Sequence, residues 1–126
     1  MFAKDLDIIT HDGAVKVINS IPELKSRLFN NQKMSKLAPV VIGNNVYIGM
    51  GAYIMPGVTI GSNVVIGANS VVTKNIPDGV VAVGVPCKPI CSIEEFAAKA
   101  IQSDALYSCA GMDYDAKRKL ILSNLI

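Results

Sequence analysis

Aliphatic residues return at every sixth position through the middle of the chain, within the stretch IGNNVYIGMGAYIMPGVTIGSNVVIGANSVV at residues 42–72. The register holds Ile42, Ile48, Ile54, Ile60, Ile66 and Val72. A helix advances about 100° per residue, so a spacing of six would scatter these side chains over three faces of the helix. A single amphipathic helix is therefore excluded, whereas the alternation of β-strands is compatible with the spacing.

Two other positions of the six-residue unit are also restricted. The residue after the aliphatic one is usually glycine, as the set Gly43, Gly49, Met55, Gly61, Gly67 and Thr73 illustrates. The fifth residue is small or β-branched, as in Val46, Ala52, Val58, Val64, Ser70 and Ile76. This pattern is typical of a hexapeptide repeat, in which strands and sharp corners alternate and coil into a parallel β-helix. The sequence predicts an all-β fold with nearly three coils over residues 39–90.

In such a β-helix the aliphatic side chains point inward and stack from coil to coil, about 4.8 Å apart along the axis. The small residues at the fifth position are expected to fit beside them. Glycine and asparagine supply the unusual backbone dihedrals that corners require. We assign this role to Asn44, Asn45, Gly61, Asn63 and Asn69.

The flanking segments lack the hexad register. Phe2–Thr10 is expected to form a short strand run of an earlier coil, and residues 12–38 to form a polar, irregular excursion loop with Pro22 and Asn30–Asn31 as breakers. Ser92 and Glu95 form a capping box that predicts a helix to about Ile101, followed by a second helix over Tyr114–Leu125. The predicted organisation is a β-helix domain at 1–90, with the loop inserted, and a C-terminal α-helical tail at 91–126.

Composition narrows the function classes. The chain has 126 residues, 51% of them hydrophobic, and a net charge of +2, which excludes a strongly basic nucleic-acid binder. No apolar run reaches the length of a membrane span, and the amino terminus lacks the layout of a secretion signal. The three cysteines show no zinc-binding spacing, so we expect a cytoplasmic protein with free thiols and no metal.

The repeat region carries few charges. Between Pro39 and Ile90 only Lys74, Asp78 and Lys88 are charged. A solvated prism of this length should carry more charge, so we expect some of its outer faces to be covered by other copies of the chain.

His11 is the only histidine of the chain, and histidine is the residue type suited to general acid–base chemistry near neutral pH. It stands where the first strand run ends and the long loop begins. On the residues alone, a catalytic His11 and an inconsequential loop histidine remain equally open.

The hexads, together with the ending VTKNIP and GVPCKPI at residues 72–77 and 84–90, resemble the hexapeptide acyltransferases. The likeness covers residues 40–90 closely, reaches back to THDG at 10–13, and is to the branch that includes galactoside and maltose acetyltransferases. It implies left-handed coiling, although parallel crossovers are otherwise right-handed. It also implies transfer of an acetyl group from acetyl-CoA to a hydroxyl of a sugar or polysaccharide precursor, and a homotrimer with its sites in the grooves between subunits.

The resemblance also implies roles for single residues. His11 matches the general base, and Asp12 is assigned to acceptor binding, although a plain turn residue remains open for it. The cofactor-binding positions carried over are Met50, Gly51, Ala68, Thr73, Lys74 and Lys88. Among these, the Ala68 amide matches a donor to the pantetheine arm, and the lysines match positions beside the phosphates of coenzyme A.

Alternative functions remain to be weighed. A covalent acyl-enzyme at Cys87 or Cys91 is disfavoured because no histidine is near in sequence. A γ-class carbonic anhydrase needs three zinc-binding histidines, and the chain has one. The chain begins ten residues before His11, where relatives carry a further segment, so a shortened, non-catalytic trimeric scaffold is the main rival. The identity of the acceptor cannot be read from the sequence.

Overall fold

The computed structural model describes Asp7, Ile8 and residues 10–124. Its strands are β1 (Asp7–Ile8), β2 (His11–Asp12), β3 (Lys36–Leu37), β4 (Val41–Ile42), β5 (Val46–Ile48), β6 (Tyr53–Ile54), β7 (Thr59–Ile60), β8 (Val64–Ile66), β9 (Val71–Val72), β10 (Val80–Gly84) and β11 (Cys87–Ser92). Its α-helices are α1 (Lys16–Asn19), α2 (Pro22–Phe29), α3 (Ile93–Gln102) and α4 (Tyr114–Ser123). Of the strand run expected at Phe2–Thr10, residues 2–6 and 9 lie outside the described residues.

The parallel strands form a prism with three faces. Face one contains β5, β8 and β10, with β11 added antiparallel to β10; face two contains β1, β6 and β9; face three contains β4 and β7. The pairs Val46–Val64 and Tyr53–Val71 show that equivalent strands lie eighteen residues apart. The predicted parallel β-helix is therefore present.

The core of the prism consists of the repeated aliphatic side chains. Five of the six positions are at most 1% exposed, namely Ile48, Ile54, Ile60, Ile66 and Val72. Ile42, in the lowest coil of face three, is half-buried. Full burial of an aliphatic side chain of this size contributes about 1.5–3 kcal/mol, so the stack is the main source of stability. The prediction that these residues point inward is confirmed.

The uppermost coil is shorter than the register predicts. Ile60 pairs with Ile76, sixteen residues later, whereas Val41 and Thr59 keep the spacing of eighteen. The sequence register places Ile76 at the fifth position of its hexad, but in the structure it stacks above Ile60, a residue of the first position. The connection from Val72 to Ile76 is thus two residues shorter than the connection from Ile54 to Ile60 below it.

The corners confirm part of the prediction. Asn45, Asn63 and Asn69 adopt left-handed φ values of +56° to +57°. Asn44 and Gly61 do not, so their assignment to unusual dihedrals is wrong. Gly61 is small for another reason, because a Cβ atom there would lie 2.7 Å from the backbone nitrogen of Asp78 in the next coil.

The excursion at residues 12–38 is more ordered than predicted. It contains α1 and α2, and Pro22 occupies the first turn of α2, where its missing N–H costs nothing. Asn30, with φ of +50°, ends that helix. The excursion is closed at its base by the antiparallel pair of β2 and β3.

The carboxyl-terminal part contains the other two helices. The chain divides into a compact unit that extends to Phe96 and a second unit that begins at Ala97. The Ser92 hydroxyl accepts a hydrogen bond of 3.1 Å from the Glu95 N–H at the start of α3, and Asp113 caps α4. The predicted end of the second helix at Leu125 lies outside the described residues, and the predicted domain division at residue 90 stays a prediction.

Across residues 10–124, every helix is too short or too polar to cross a membrane.

Candidate functional site

Two edges of the prism carry the residues singled out in the sequence. The first edge joins faces one and two and consists of the corners at residues 49–52 and 67–70. The second edge joins faces two and three and consists of the corners at residues 55–58 and 73–75. The excursion leaves and rejoins the prism at the second edge, one coil lower, because β1 lies in face two and β4 in face three.

The first edge brings Met50, Gly51 and Ala68 together. The Asn69 N–H donates a hydrogen bond of 2.9 Å to the Met50 carbonyl, which fixes the two corners one above the other. Gly51 has φ of +73°, and a Cβ atom there would overlap the Asn69 side chain. Met50 is 54% exposed, so its thioether is available at the surface of this edge. The two corners therefore stack with the eighteen-residue spacing of the strands beside them.

The Ala68 amide is the chemically distinctive group of the first edge. Ala68 is exposed, and no acceptor within the described part of the chain receives a hydrogen bond from its N–H. Below it, Gly49 leaves no room for a side chain, because a Cβ atom there would lie 2.5 Å from the Ala68 nitrogen. A free, rigidly held donor of this kind suits a ligand carbonyl oxygen.

The second edge carries Thr73 and Lys74. Both side chains are exposed, and the corner is held by a 2.8 Å hydrogen bond from the Thr59 N–H to Asn75 Oδ1. Below this corner, the Gly57 N–H donates to the Pro39 carbonyl at the end of the excursion, at 3.1 Å. Thr73 and Lys74 therefore share an edge with the base of the excursion and are separated from Ala68 by face two.

His11 lies at the base of the excursion. It pairs with Leu37 across β2 and β3, and the Ala38 N–H donates to the Thr10 carbonyl at 3.0 Å. Its side chain is exposed. The histidine is thus fixed by backbone pairing and is open to a molecule that approaches the second edge.

Asp12 shapes the chain that follows His11. Its Oδ1 accepts a 2.8 Å hydrogen bond from the Ala14 N–H and so caps the short 3₁₀ helix at Gly13–Val15. This hydrogen bond accounts for the aspartate as a turn residue. Its assignment to acceptor binding stays a prediction.

Lys88 lies at the top of the first edge. It is exposed on β11 and pairs with Val83, whose Cγ1 would lie 2.5 Å from a Cβ atom at Gly67. Lys88 therefore lies on the same edge as Ala68, whereas Lys74 lies on the second edge.

Ser70 and Cys87 form a buried polar contact that the sequence did not single out. Ser70 is fully buried, its Oγ accepts a 3.1 Å hydrogen bond from the Gly84 N–H, and it bonds the Cys87 thiol. Burial raises the pKa of the Cys87 thiol, and the hydrogen bond with Ser70 only partly opposes this. A thiol that is buried and held in its protonated form argues against a nucleophilic role for Cys87.

Within the described residues, no group of three histidine, cysteine or acidic side chains is arranged to hold a metal ion.

Comparison with known proteins identifies the repeat. Residues 39–74 match the family model described as bacterial transferase hexapeptide (six repeats). This match, with the structural likenesses below, implies left-handed coiling of the prism. Among curated proteins, none matches the chain.

Solved structures resemble the chain over about three quarters of its length. A maltose O-acetyltransferase from Clostridium difficile 630 is 44% identical over 73% of this chain and 44% of its own, with a TM-score of 0.57. A galactoside acetyltransferase in complex with coenzyme A is 41% identical over 75% of this chain and 42% of its own, with a TM-score of 0.58. A hexapeptide-repeat acetyltransferase from Vibrio cholerae, complexed with acetyl coenzyme A, is 26% identical over 69% of this chain and 42% of its own, with a TM-score of 0.54.

The chain spans less than half of the length of each of these three proteins. Over its hexapeptide repeat, the chain is therefore similar to a maltose O-acetyltransferase and a galactoside acetyltransferase.

Proposed function

We propose that the protein is an acetyl-CoA-dependent O-acetyltransferase that acetylates a hydroxyl of a sugar or polysaccharide precursor. The observation that carries this proposal is the likeness to two sugar O-acetyltransferases at 41–44% identity over about three quarters of the chain. One of these proteins is in complex with coenzyme A, which supports acetyl-CoA as the acyl donor.

His11 acts as the general base in this proposal. The acetyl thioester supplies the electrophile. The imidazole accepts the proton of the acceptor hydroxyl as its oxygen attacks the thioester carbonyl, and returns that proton to the departing sulfur when the carbon–sulfur bond breaks. The exposure of His11 at the closed base of the excursion supports this role, since both an acceptor and a thioester can reach it.

The two edges divide the binding of coenzyme A between them. On the first edge, the free Ala68 N–H donates to a carbonyl of the pantetheine arm, beside Met50 and Gly51, and Lys88 faces a phosphate. On the second edge, the Thr73 hydroxyl and the Lys74 ammonium contact the far pantetheine and the adenosine phosphate. Lysine serves here as a point charge rather than as a bidentate donor.

We also propose a homotrimer, which this division supports. Face two separates the Ala68 edge from the Thr73 edge within one chain, so a groove that contains both needs the second edge of a neighbouring copy. Apolar side chains on the outer surfaces support such packing, because Val41, Tyr47 and Tyr53 are 42–52% exposed, one on each face. A cytoplasmic location stays a prediction.

The substitution His11→Ala tests the catalytic assignment. Loss of a general base lowers kcat by about 10²–10⁴-fold, while the affinity for coenzyme A should change less than about twofold, because His11 only handles the proton. Transfer is measured by thiol release from acetyl-CoA with a panel of sugars and nucleotide sugars, and binding by titration calorimetry. A wild-type chain that binds coenzyme A but acetylates no hydroxyl compound would favour the scaffold.

A further inference from the structure

The excursion contains a cleft lined by cationic side chains. It has a volume of about 320 Å³ and is lined by Lys16, Asn19, Ser20, Lys25 and Lys33. This volume lies at the lower end of the range for ligand pockets, about 300–1,000 Å³. Three lysines and no acidic residue line this one space.

The three lysines are held in place by the local fold. Lys16 begins α1, Lys25 lies on α2, and Lys33 precedes Met34, whose backbone N–H and carbonyl both bond the Asn19 side chain, at 3.1 and 2.9 Å. The Ser20 hydroxyl donates to the Lys16 carbonyl at 3.0 Å. These hydrogen bonds therefore fix the backbone from which the three lysines reach the cleft.

The charge of the cleft is uncompensated. Residues 12–38 contain five lysine and arginine residues and two acidic ones, so the excursion has a net charge of +3, against +2 for the whole chain. Of the two acids, Asp12 caps the 3₁₀ helix and Glu23 does not line the cleft. Lys25 is half-buried, and the described residues provide no ion pair for it. Such a lysine favours an anionic ligand.

The cleft is close to His11. Lys33 is three residues from Lys36, which pairs with Asp12, so an extended chain places the Lys33 and Asp12 backbones within about 15 Å of each other. A sugar-sized molecule whose anionic group occupies the cleft can therefore reach toward the imidazole with one of its hydroxyls.

We propose that this cleft binds an anionic group, a phosphate or diphosphate, of the acetyl acceptor, so that the acceptor is a phosphorylated hydroxyl compound rather than a neutral sugar. The assignment of the anion to the acetyl acceptor rests on the proposed acetyltransferase function, whereas the anion site itself does not depend on that function. The same chemistry could serve the phosphates of coenzyme A, and the experiment separates the two sources.

Binding of inorganic pyrophosphate tests the cleft directly. Calorimetric titration is performed with the chain saturated with coenzyme A, using the wild type, the double variant Lys25→Gln with Lys33→Gln, and Arg27→Gln. Arg27 is a matched control, because it lies two residues from Lys25 on the same helix and does not line the cleft. We expect pyrophosphate affinity to fall about tenfold or more in the double variant, since charge-assisted hydrogen bonds are lost, and to change less than about twofold in Arg27→Gln.

An equal loss of pyrophosphate affinity in the double variant and in Arg27→Gln would show that only the overall charge of the chain matters. That result would overturn the proposed site. Absence of pyrophosphate binding to the saturated wild type, together with weakened coenzyme A binding in the double variant, would assign the cleft to the cofactor and overturn the assignment to the acceptor. The single variants Lys25→Gln and Lys33→Gln replace the double variant should it fail to fold, and they are judged against the same control.

Acetyl transfer to matched pairs of a sugar and its monophosphate tests the substrate class. We expect kcat/KM to be about tenfold or more higher for the phosphorylated member, with the preference lost in the double variant and kept in Arg27→Gln. Equal rates for both members in the wild type would overturn the assignment to the acceptor. Absence of transfer to every pair would refute the acetyltransferase function instead, and pyrophosphate binding would still decide whether the anion site exists.

Discussion

Ser70 occupies a position that is aliphatic in most of the other hexads, yet it is fully buried. Its hydroxyl has two hydrogen-bond partners: it accepts from the Gly84 N–H and bonds the Cys87 thiol. The hexad register was sufficient to place Ser70 in the core. It could not reveal the partners, because they lie fourteen and seventeen residues later, in the hairpin above the last regular coil.

Replacement of Ser70 by alanine should destabilise the fold. The variant removes a hydroxyl from a fully buried position and with it the hydrogen bonds to the Gly84 N–H and the Cys87 thiol. Each lost bond costs about 0.5–1.5 kcal/mol in the free energy of unfolding. Ser62→Ala is the matched control, because the Ser62 hydroxyl also accepts from a backbone N–H, that of Asn44 at 3.0 Å, but in a half-exposed corner where water can replace it. The two are compared by urea denaturation, and equal losses would contradict this account.

The assignment of Lys74 predicts different effects on the binding of coenzyme A and of dephospho-coenzyme A. Its ammonium is assigned to the adenosine phosphate, so Lys74→Ala should weaken binding of coenzyme A by about tenfold and of dephospho-coenzyme A by much less. Calorimetric affinities for both ligands provide the measurement. Lys117→Ala, on α4 in the second unit, is the control for a general loss of charge. A similar loss for both ligands would remove the phosphate contact from Lys74.

At the scale of elements, periodicity was informative and its absence was not. The repeated aliphatic residues predicted which strands stack, because each coil repeats the environment of the coil below it. Residues 12–38 have no such repeat, and the sequence predicts a break at Pro22, whereas in the structure Pro22 starts α2. A proline favours both a turn and the first turn of a helix, so its neighbours had to decide, and the short helical pattern of residues 22–29 was too weak to do so.

The close contact between the corners at Gly49 and Ala68 predicts that a side chain at Gly49 destabilises the fold. A Cβ atom at Gly49 would lie 2.5 Å from the nitrogen and 2.8 Å from the Cα of Ala68, both backbone atoms that cannot rotate away. Gly49→Ala should therefore force two coils apart and destabilise the chain by about 3 kcal/mol or more. Gly13→Ala is the control, because a Cβ atom there meets nothing closer than the Lys16 side chain at 4.0 Å. Thermal unfolding of both variants tests the contrast, and an unchanged midpoint for Gly49→Ala would show that the coils can separate at little cost.

At the scale of the molecule, the sequence predicted which residues form the candidate site but not how they are distributed over the two edges. Met50 and Ala68 are eighteen residues apart and so share an edge, whereas Thr73 falls five residues beyond Ala68 and lies on the next edge. The signal that separates them is the eighteen-residue period itself, which can be read from the sequence. What the sequence could not provide is the copy of the chain that supplies each edge to a given groove, since that depends on surfaces that meet only after assembly.

Mixed assemblies of two inactive variants test whether one site draws on two chains. Ala68→Trp blocks the first edge with a bulky exposed side chain, and His11→Ala removes the base beside the second edge. Suppose that each groove combines the first edge of one copy with His11 of its neighbour. Trimers assembled at random from equal amounts of the two variants should then regain about one quarter of the wild-type activity, because one quarter of their interfaces join an intact first edge to an intact His11. The variants are mixed after unfolding and refolding together, and acetyl transfer is compared with each variant refolded alone. If both edges of a working site belonged to one chain, every chain in the mixture would carry a defect and the mixture would stay inactive, whereas recovery near one quarter would locate the reaction between subunits.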